Sequence, residues 1–189
     1  LGALFFLGIA IMGYGVSTFG VSTLTVIHGI TVADAAAILS AYLFASPIGV
    51  LCGGWIADRI QNHHVFAASC FVLLSVVFFC LAGIDLNLWV IAVLLVCAGF
   101  FSGTVSPSRD MLIRSLAPPT EMGKVFGFVS TGFNVAGVLA PPLFGYILDH
   151  YSANSVFWCV GAVSLLTVLT VLTTGKNRPQ TNDQETKKL

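Results

Sequence analysis

Charge is what this chain has least of. Only 8% of its 189 residues are Asp, Glu, Lys or Arg, where a soluble domain carries about 25%. With 57% hydrophobic residues, there is too little polar material to make the water-facing surface of a soluble fold. The net charge is zero, so there is no basic excess for phosphate backbones, and nucleic acid is not an expected partner. The five cysteines, Cys52, Cys70, Cys80, Cys97 and Cys159, sit inside apolar runs and form no C-x-x-C pair. They read as small hydrophobes rather than as disulfides or metal ligands. His63 and His64 are neighbours, point to different faces of a helix and have no other ligand types beside them. No metal and no cofactor is expected. No paired Asp, Ser/His pair or His-Glu zinc set lies inside an apolar run, which removes the equipment of an intramembrane enzyme; the chain is not expected to be an enzyme. No Asp, Glu, Lys, Arg or His lies near the middle of any run. A proton-driven carrier needs such a group, so proton coupling would require a residue outside this chain.

What is present is apolar length. Six runs, 1–27, 35–57, 65–84, 88–105, 125–148 and 156–174, are each long enough to cross a bilayer, which takes about 20 residues. They are continuous rather than alternating, which favours helices over barrel strands. The chain opens inside the first run, with no basic segment or cleavage site before it. That is not a signal peptide, and the expectation is a piece of a longer protein. Every Lys and Arg falls in alternate connections: Arg59 in the second, Arg109, Arg114 and Lys124 at the fourth, and Lys176, Arg178, Lys187 and Lys188 after the last run. Cytoplasmic loops carry the Lys/Arg excess. The reading is an all-α membrane protein whose six transmembrane helices occupy 1–174, followed by a disordered cytoplasmic tail over 175–189, with the lipid bilayer as solvent.

Two finer patterns stand out. In the fourth connection, Ser108 is expected to cap a short helix ending before Pro118 and Pro119. Met111, Leu112 and Leu116 would lie on the membrane and Arg109 and Arg114 toward water, with Thr120 capping the next span. There is also an internal repeat. A shift of 91 residues places Gly54-Trp55-Ile56-Ala57-Asp58 on Gly145-Tyr146-Ile147-Leu148-Asp149, and Val65-Phe66 on Val156-Phe157, without a gap. Each copy holds three spans, an odd number, so the copies have opposite orientations, as in transporters built from inverted repeats.

The stretch Gly54-Trp55-Ile56-Ala57-Asp58-Arg59 resembles the G-x-x-x-D-R loop of the major facilitator superfamily, which follows the second helix of each half. The segment 127–149, with Asn134, Gly137, Pro141, Pro142, Gly145 and Asp149, resembles that superfamily's eleventh helix. The family loop continues with a Gly and two basic residues; here those positions are Gln61, Asn62 and His63. The resemblance implies helices seven to twelve of a twelve-helix carrier, with an N-terminal six-helix half and a small-molecule substrate as partners. It further implies secondary active transport by alternating access, in a bacterial cytoplasmic membrane with a cytoplasmic C-terminus. The stretch 109–149 is similar to bacterial efflux permeases and organic-anion carriers, so drug efflux or organic-anion transport is the implied activity. A self-contained six-span oligomeric channel and a structural membrane protein stay open as alternatives.

Candidate residues follow. Tyr14, Thr18, Ser22 and Thr25 recur at helical spacing and share a face; with Ser130 and Asn134 in the fifth run they are the expected substrate contacts. Asp58 and Arg59, with Gly54 and Asp149, are the expected gating residues. In the family the Asp sits against the positive dipole end of a neighbouring helix, here the one beginning near Gly123 and Lys124. Arg109 shares a face with Ser102 and Ser106; it could receive an anionic substrate or anchor the membrane boundary, and the anchor is preferred. Pro47, Pro141 and Pro142 interrupt helices as bends. Gly49/Gly53, Gly99/Gly103 and Gly123/Gly127 are G-x-x-x-G pairs, read as close packing inside the bundle.

Overall fold

A computed structural model gives an all-helical chain and describes residues 2–60, 63–116 and 122–176. The helices are α1 (Gly2–His28), α2 (Val32–Ala57), α3 (His63–Gly83), α4 (Leu88–Leu116), α5 (Met122–His150) and α6 (Asn154–Lys176). Each contains a stretch long and apolar enough to cross a membrane. Among the described residues there is no strand.

The helix ends follow local chemistry. Gly29 has φ +63° and its N–H reaches the Thr25 carbonyl at 3.1 Å, a left-handed stop that glycine adopts without strain. Two residues later, Thr31 caps α2. Its Oγ1 accepts from the Asp34 N–H at 3.1 Å and donates to Asp34 Oδ2 at 2.7 Å. Asp34 therefore belongs to the first turn of α2 rather than to a loop before a span beginning at 35. An apolar run cannot reveal a polar first turn that its cap satisfies.

The fourth connection differs from its expectation. α4 continues through Pro107 to Leu116 as one helix, where a span ending at 105 and a separate short helix were expected. Ser108 is no cap; it is 1% exposed within α4. A proline removes one backbone donor, which a membrane helix tolerates when its neighbours pack around the freed carbonyl. Met111 is exposed. The side chains of Leu112, Arg114 and Leu116, the expected cap Thr120 and the tail beyond 176 lie outside what the structure describes.

Packing sets a ring order. α2 packs on α4, α4 on α3, α3 on α6, α6 on α1, and α1 on α5, while α2 and α5 do not close the ring. Smaller contacts join α1 to α2, α5 to α6 and α4 to α5. Exchanging α1 with α4, α2 with α5 and α3 with α6 maps each of these pairs onto another, except α5 with α6, whose image α2 with α3 is not a packed pair. Adding 91 to the bounds of α2 gives 123–148, against Met122–His150 for α5, and adding it to α3 gives 154–174, against Asn154–Lys176 for α6. The repeat is thus visible in the register of these helices and in most of the helix pairs.

α3 and α6 form the heart of the bundle. Ser75 Oγ donates to the Gly161 carbonyl at 3.0 Å, and Ser164 Oγ donates back to the Phe71 carbonyl at 2.9 Å. Phe78 and Phe157 meet nearby with centroids 6.0 Å apart. At the other extreme is α5, of whose span only 17% is buried, against 56% for α3. The bundle therefore has a solid back made by α3 and α6, with α1, α4 and their flanks α2 and α5 left to shape a cleft.

Candidate substrate cleft

The cleft is a cavity of about 250 Å³, bounded by α1, α2, α4 and α5. Its polar lining is Tyr14 and Ser17 of α1, Ser46 of α2, and Ser102, Ser106 and Arg109 of α4. Ile9, Ala10, Gly13 and Phe133 complete it. A second groove of similar volume, between α1 and α6, is lined by Leu7, Ile11, Val163 and Leu166 with two threonines and carries no charge. Volume does not separate the two; chemistry does.

Helical spacing explains the lining. Ser102, Ser106 and Arg109 lie four and three residues apart and so share one face of α4. On α1 the same spacing joins Ala10, Gly13, Tyr14 and Ser17. Gly137 of α5 makes room for Tyr14: a Cβ there would stand 2.9 Å from the ring. The ring thereby lies against α5 while the side chain borders the cleft.

Arg109 closes one end. Its Nε donates to Asp110 Oδ1 at 3.0 Å. The guanidinium carbon stands 5.7 Å from the ring centre of Phe6 and 5.5 Å from that of Phe133, and the two rings are 6.1 Å apart. Three helices therefore hold one cation, through ring faces that attract it. The side chain is 19% exposed. This differs from the expected boundary anchor, which would run outward along the lipid face.

The other expected contacts are spread out. Tyr14 lines the cleft; Thr18 and Ser22 are exposed on α1, and Thr25 turns back to the Ser22 carbonyl at 2.8 Å. Ser130 and Asn134 are exposed on α5 and do not border the cleft, where Phe133 does. Ser17 and Ser46 went unnoticed in the sequence, although Ser17 follows Gly13 and Tyr14 at helical spacing.

Of the gating candidates, Gly54 is half-buried and Asp58 is the C-cap of α2, its N–H reaching the Gly54 carbonyl at 3.1 Å. The Asp58 side chain is exposed and makes no hydrogen bond or ion pair among the described residues, and α2 and α5 are not one of the closely packed helix pairs among them. Arg59 folds back over Trp55, 3.7 Å above the ring, and donates to the Trp55 carbonyl at 3.3 Å. Asp149 is exposed near the end of α5, beside the stacked Tyr146 and His150.

This bundle can be set beside known proteins. The sequence model of the Major Facilitator Superfamily matches residues 3–189. The chain belongs to the Major Facilitator Superfamily. An MFS-type transporter of Aspergillus fumigatus is 27% identical over 84% of this chain and 36% of its own length. The probable galactarate/D-glucarate transporter GudP of Bacillus subtilis is 27% identical over 78% of the chain and 34% of its own length. The multidrug resistance protein MdtG of Salmonella paratyphi A is 31% identical over 68% and 31%. The chain thus spans about a third of the length of these relatives. A crystal structure of the peptide transporter POT, an E310Q mutant in complex with sulfate, superposes with a TM-score of 0.81 at 20% identity, covering 93% of this chain and 37% of that one. The superfamily member described here is accordingly an integral membrane protein, and its six helices share the fold of part of that neighbour.

Proposed function

We propose that this chain is the C-terminal half of a secondary transporter that moves a small solute by alternating access against an N-terminal six-helix half. The observation that carries the proposal is polarity left uncovered at mid-span. Thr18 and Ser22 on α1, and Ser130, Thr131 and Asn134 on α5, are exposed in segments that cross the membrane. Thr131 turns to its own Gly127 carbonyl, whereas Asn134 makes no hydrogen bond among the described residues. An amide left in hydrocarbon without a partner costs about 2–7 kcal/mol. A second bundle laid across α1 and α5 would cover these groups and close the cleft around a solute.

The relatives support transport as the activity: their names assign multidrug resistance to one and galactarate or D-glucarate transport to another. In this reading Tyr14, Thr18, Ser22, Ser130 and Asn134 face the path between the halves. Gly54, Asp58, Arg59 and Asp149 work at the membrane boundary as gating residues, Asp58 engaging its partner in another state of the cycle. The Lys/Arg distribution supports a cytoplasmic C-terminus, and the bacterial relatives support a cytoplasmic membrane.

The test uses the intact protein reconstituted in proteoliposomes. Saturable counterflow of a solute is expected, and Asp58→Asn is expected to slow it with insertion and folding intact. Conductive flux without counterflow would instead mark a channel. An intact gene without an upstream six-span half would remove the basis of the proposal.

A further inference from the structure

We propose that the cleft is an anion site, in which Arg109 takes the charged oxygens of a small organic carboxylate or phosphate ester. The hydroxyls of Ser106, Ser102 and Tyr14 take its polar body. The inference rests on the transporter reading and names its substrate class.

Donor balance carries it. A guanidinium offers five N–H donors. One, on Nε, is used by Asp110. Arg109 makes no other hydrogen bond among the described residues, so the four donors on Nη1 and Nη2 have no protein acceptor among the described residues. With 19% of the side chain exposed, those donors sit in a cleft rather than in open solvent, and an anion is the acceptor that satisfies them best. The Nη edge presents the planar fork that carboxylate and phosphate oxygens match in pairs.

The surroundings fit that use. Asp110, 48% exposed, holds the Nε side, so it fixes the orientation of the plane without blocking the fork. Phe6 and Phe133 flank the cation from two other helices and keep it off the lipid face. Ser106 and Ser102 continue the lining away from Arg109. Ser102 lies seven positions before Arg109, about 10 Å along α4. A solute with its charge at Arg109 thus lays its neutral end among hydroxyls rather than among methyl groups.

The test takes the intact protein, purified in a neutral detergent, and follows binding by thermal melting and titration with matched probes. The pairs are gluconate with glucose, benzoate with benzamide, and glycerol phosphate with glycerol. At least one anion is expected to bind saturably and raise the melting temperature while its neutral twin does not. Arg109→Gln is expected to weaken that binding by roughly 10- to 100-fold. Arg109→Lys keeps a cation at the membrane boundary but loses the fork; it is expected to weaken binding about tenfold, whereas an anchoring role predicts no change. If the Gln variant does not fold, the Lys variant decides, with Ser106→Ala expected to weaken binding several-fold.

Failure of every anion to bind overturns the site, as does wild-type affinity in Arg109→Lys. Protection only by nanodiscs containing phosphatidylglycerol, and not by any soluble anion, assigns Arg109 to a lipid headgroup and likewise overturns it. Anion binding without any counterflow leaves the site standing and defeats the transporter reading. Counterflow of a neutral or cationic solute without anion binding does the reverse.

Discussion

Two helix crossings that the internal repeat makes equivalent are packed by different means. Where α2 crosses α4, backbone meets backbone. A Cβ built on Gly49 or Gly53 would collide with the carbonyl oxygens of Phe100 or Thr104, and one on Gly99 or Gly103 with those of Tyr42 or Ser46. Where α1 crosses α5, rings fill the notches instead. A Cβ on Gly15 would stand 2.6 Å from the Phe144 ring, and one on Gly137 2.9 Å from Tyr14. The exchange of repeats maps one crossing onto the other but does not preserve how closely the two helices approach. Small residues facing each other let two backbones approach, and without a hydrophobic force between helices in lipid, that approach is a main source of association. The looser crossing keeps room for side chains, and it is the one that brings Tyr14 to the cleft.

The largest effect should come from the tight crossing. Gly103→Leu forces a side chain into the Ser46 carbonyl and should destabilise the intact protein by about 3 kcal/mol, read as loss of the monodisperse fraction in size exclusion. Wild-type yield would show that this crossing opens freely. Next comes the ring-filled crossing. Gly15→Ala should cost about 1–2 kcal/mol. Because the obstacle is a side chain, combining it with Phe144→Leu should give a favourable coupling of about 1 kcal/mol in a double-mutant cycle. Gly103→Ala should couple with no side-chain truncation, since its obstacle is backbone.

The α3–α6 contact offers an internal standard. Ser75→Ala and Ser164→Ala each remove one buried hydrogen bond and should each cost about 0.6 kcal/mol in denaturant titrations of the intact protein. The smallest effect is expected at the third glycine pair. Among the described residues nothing lies within 4 Å of a Cβ on Gly123 or Gly127, so Ala at either should move stability by about 0.5 kcal/mol or less. A clear drop in melting temperature would mean that another segment packs there, making a third tight crossing.

That third pair shows where sequence reasoning reaches its end. All three G-x-x-x-G pairs look alike in the sequence, and packing inside the bundle was the reading for each. Two of them meet a partner helix here and the third meets none among the described residues. Arg109 teaches the same lesson in reverse. Its face, shared with Ser102 and Ser106, was legible from spacing; its position between Phe6 and Phe133, from helices more than twenty residues away on either side, was not. Ser108 read as a cap because a short polar side chain before a polar stretch suits that role, yet the helix ran on and buried it.

Several things needed only the chain. Six apolar stretches, each too long to stay in water and too continuous for a barrel, dictate six helices in lipid. The shift of 91 residues dictates their pairing into inverted triplets, and the loop after α2 points to the superfamily. These are properties of hydropathy and local hydrogen bonding, which act along the backbone and are therefore written along it. Which glycines touch, which face of α1 borders the cleft and what surrounds the arginine were decided by tertiary packing. Contacts between helices depend on rotation and depth, and several rotations satisfy one apolar pattern when lipid and protein interior are equally apolar.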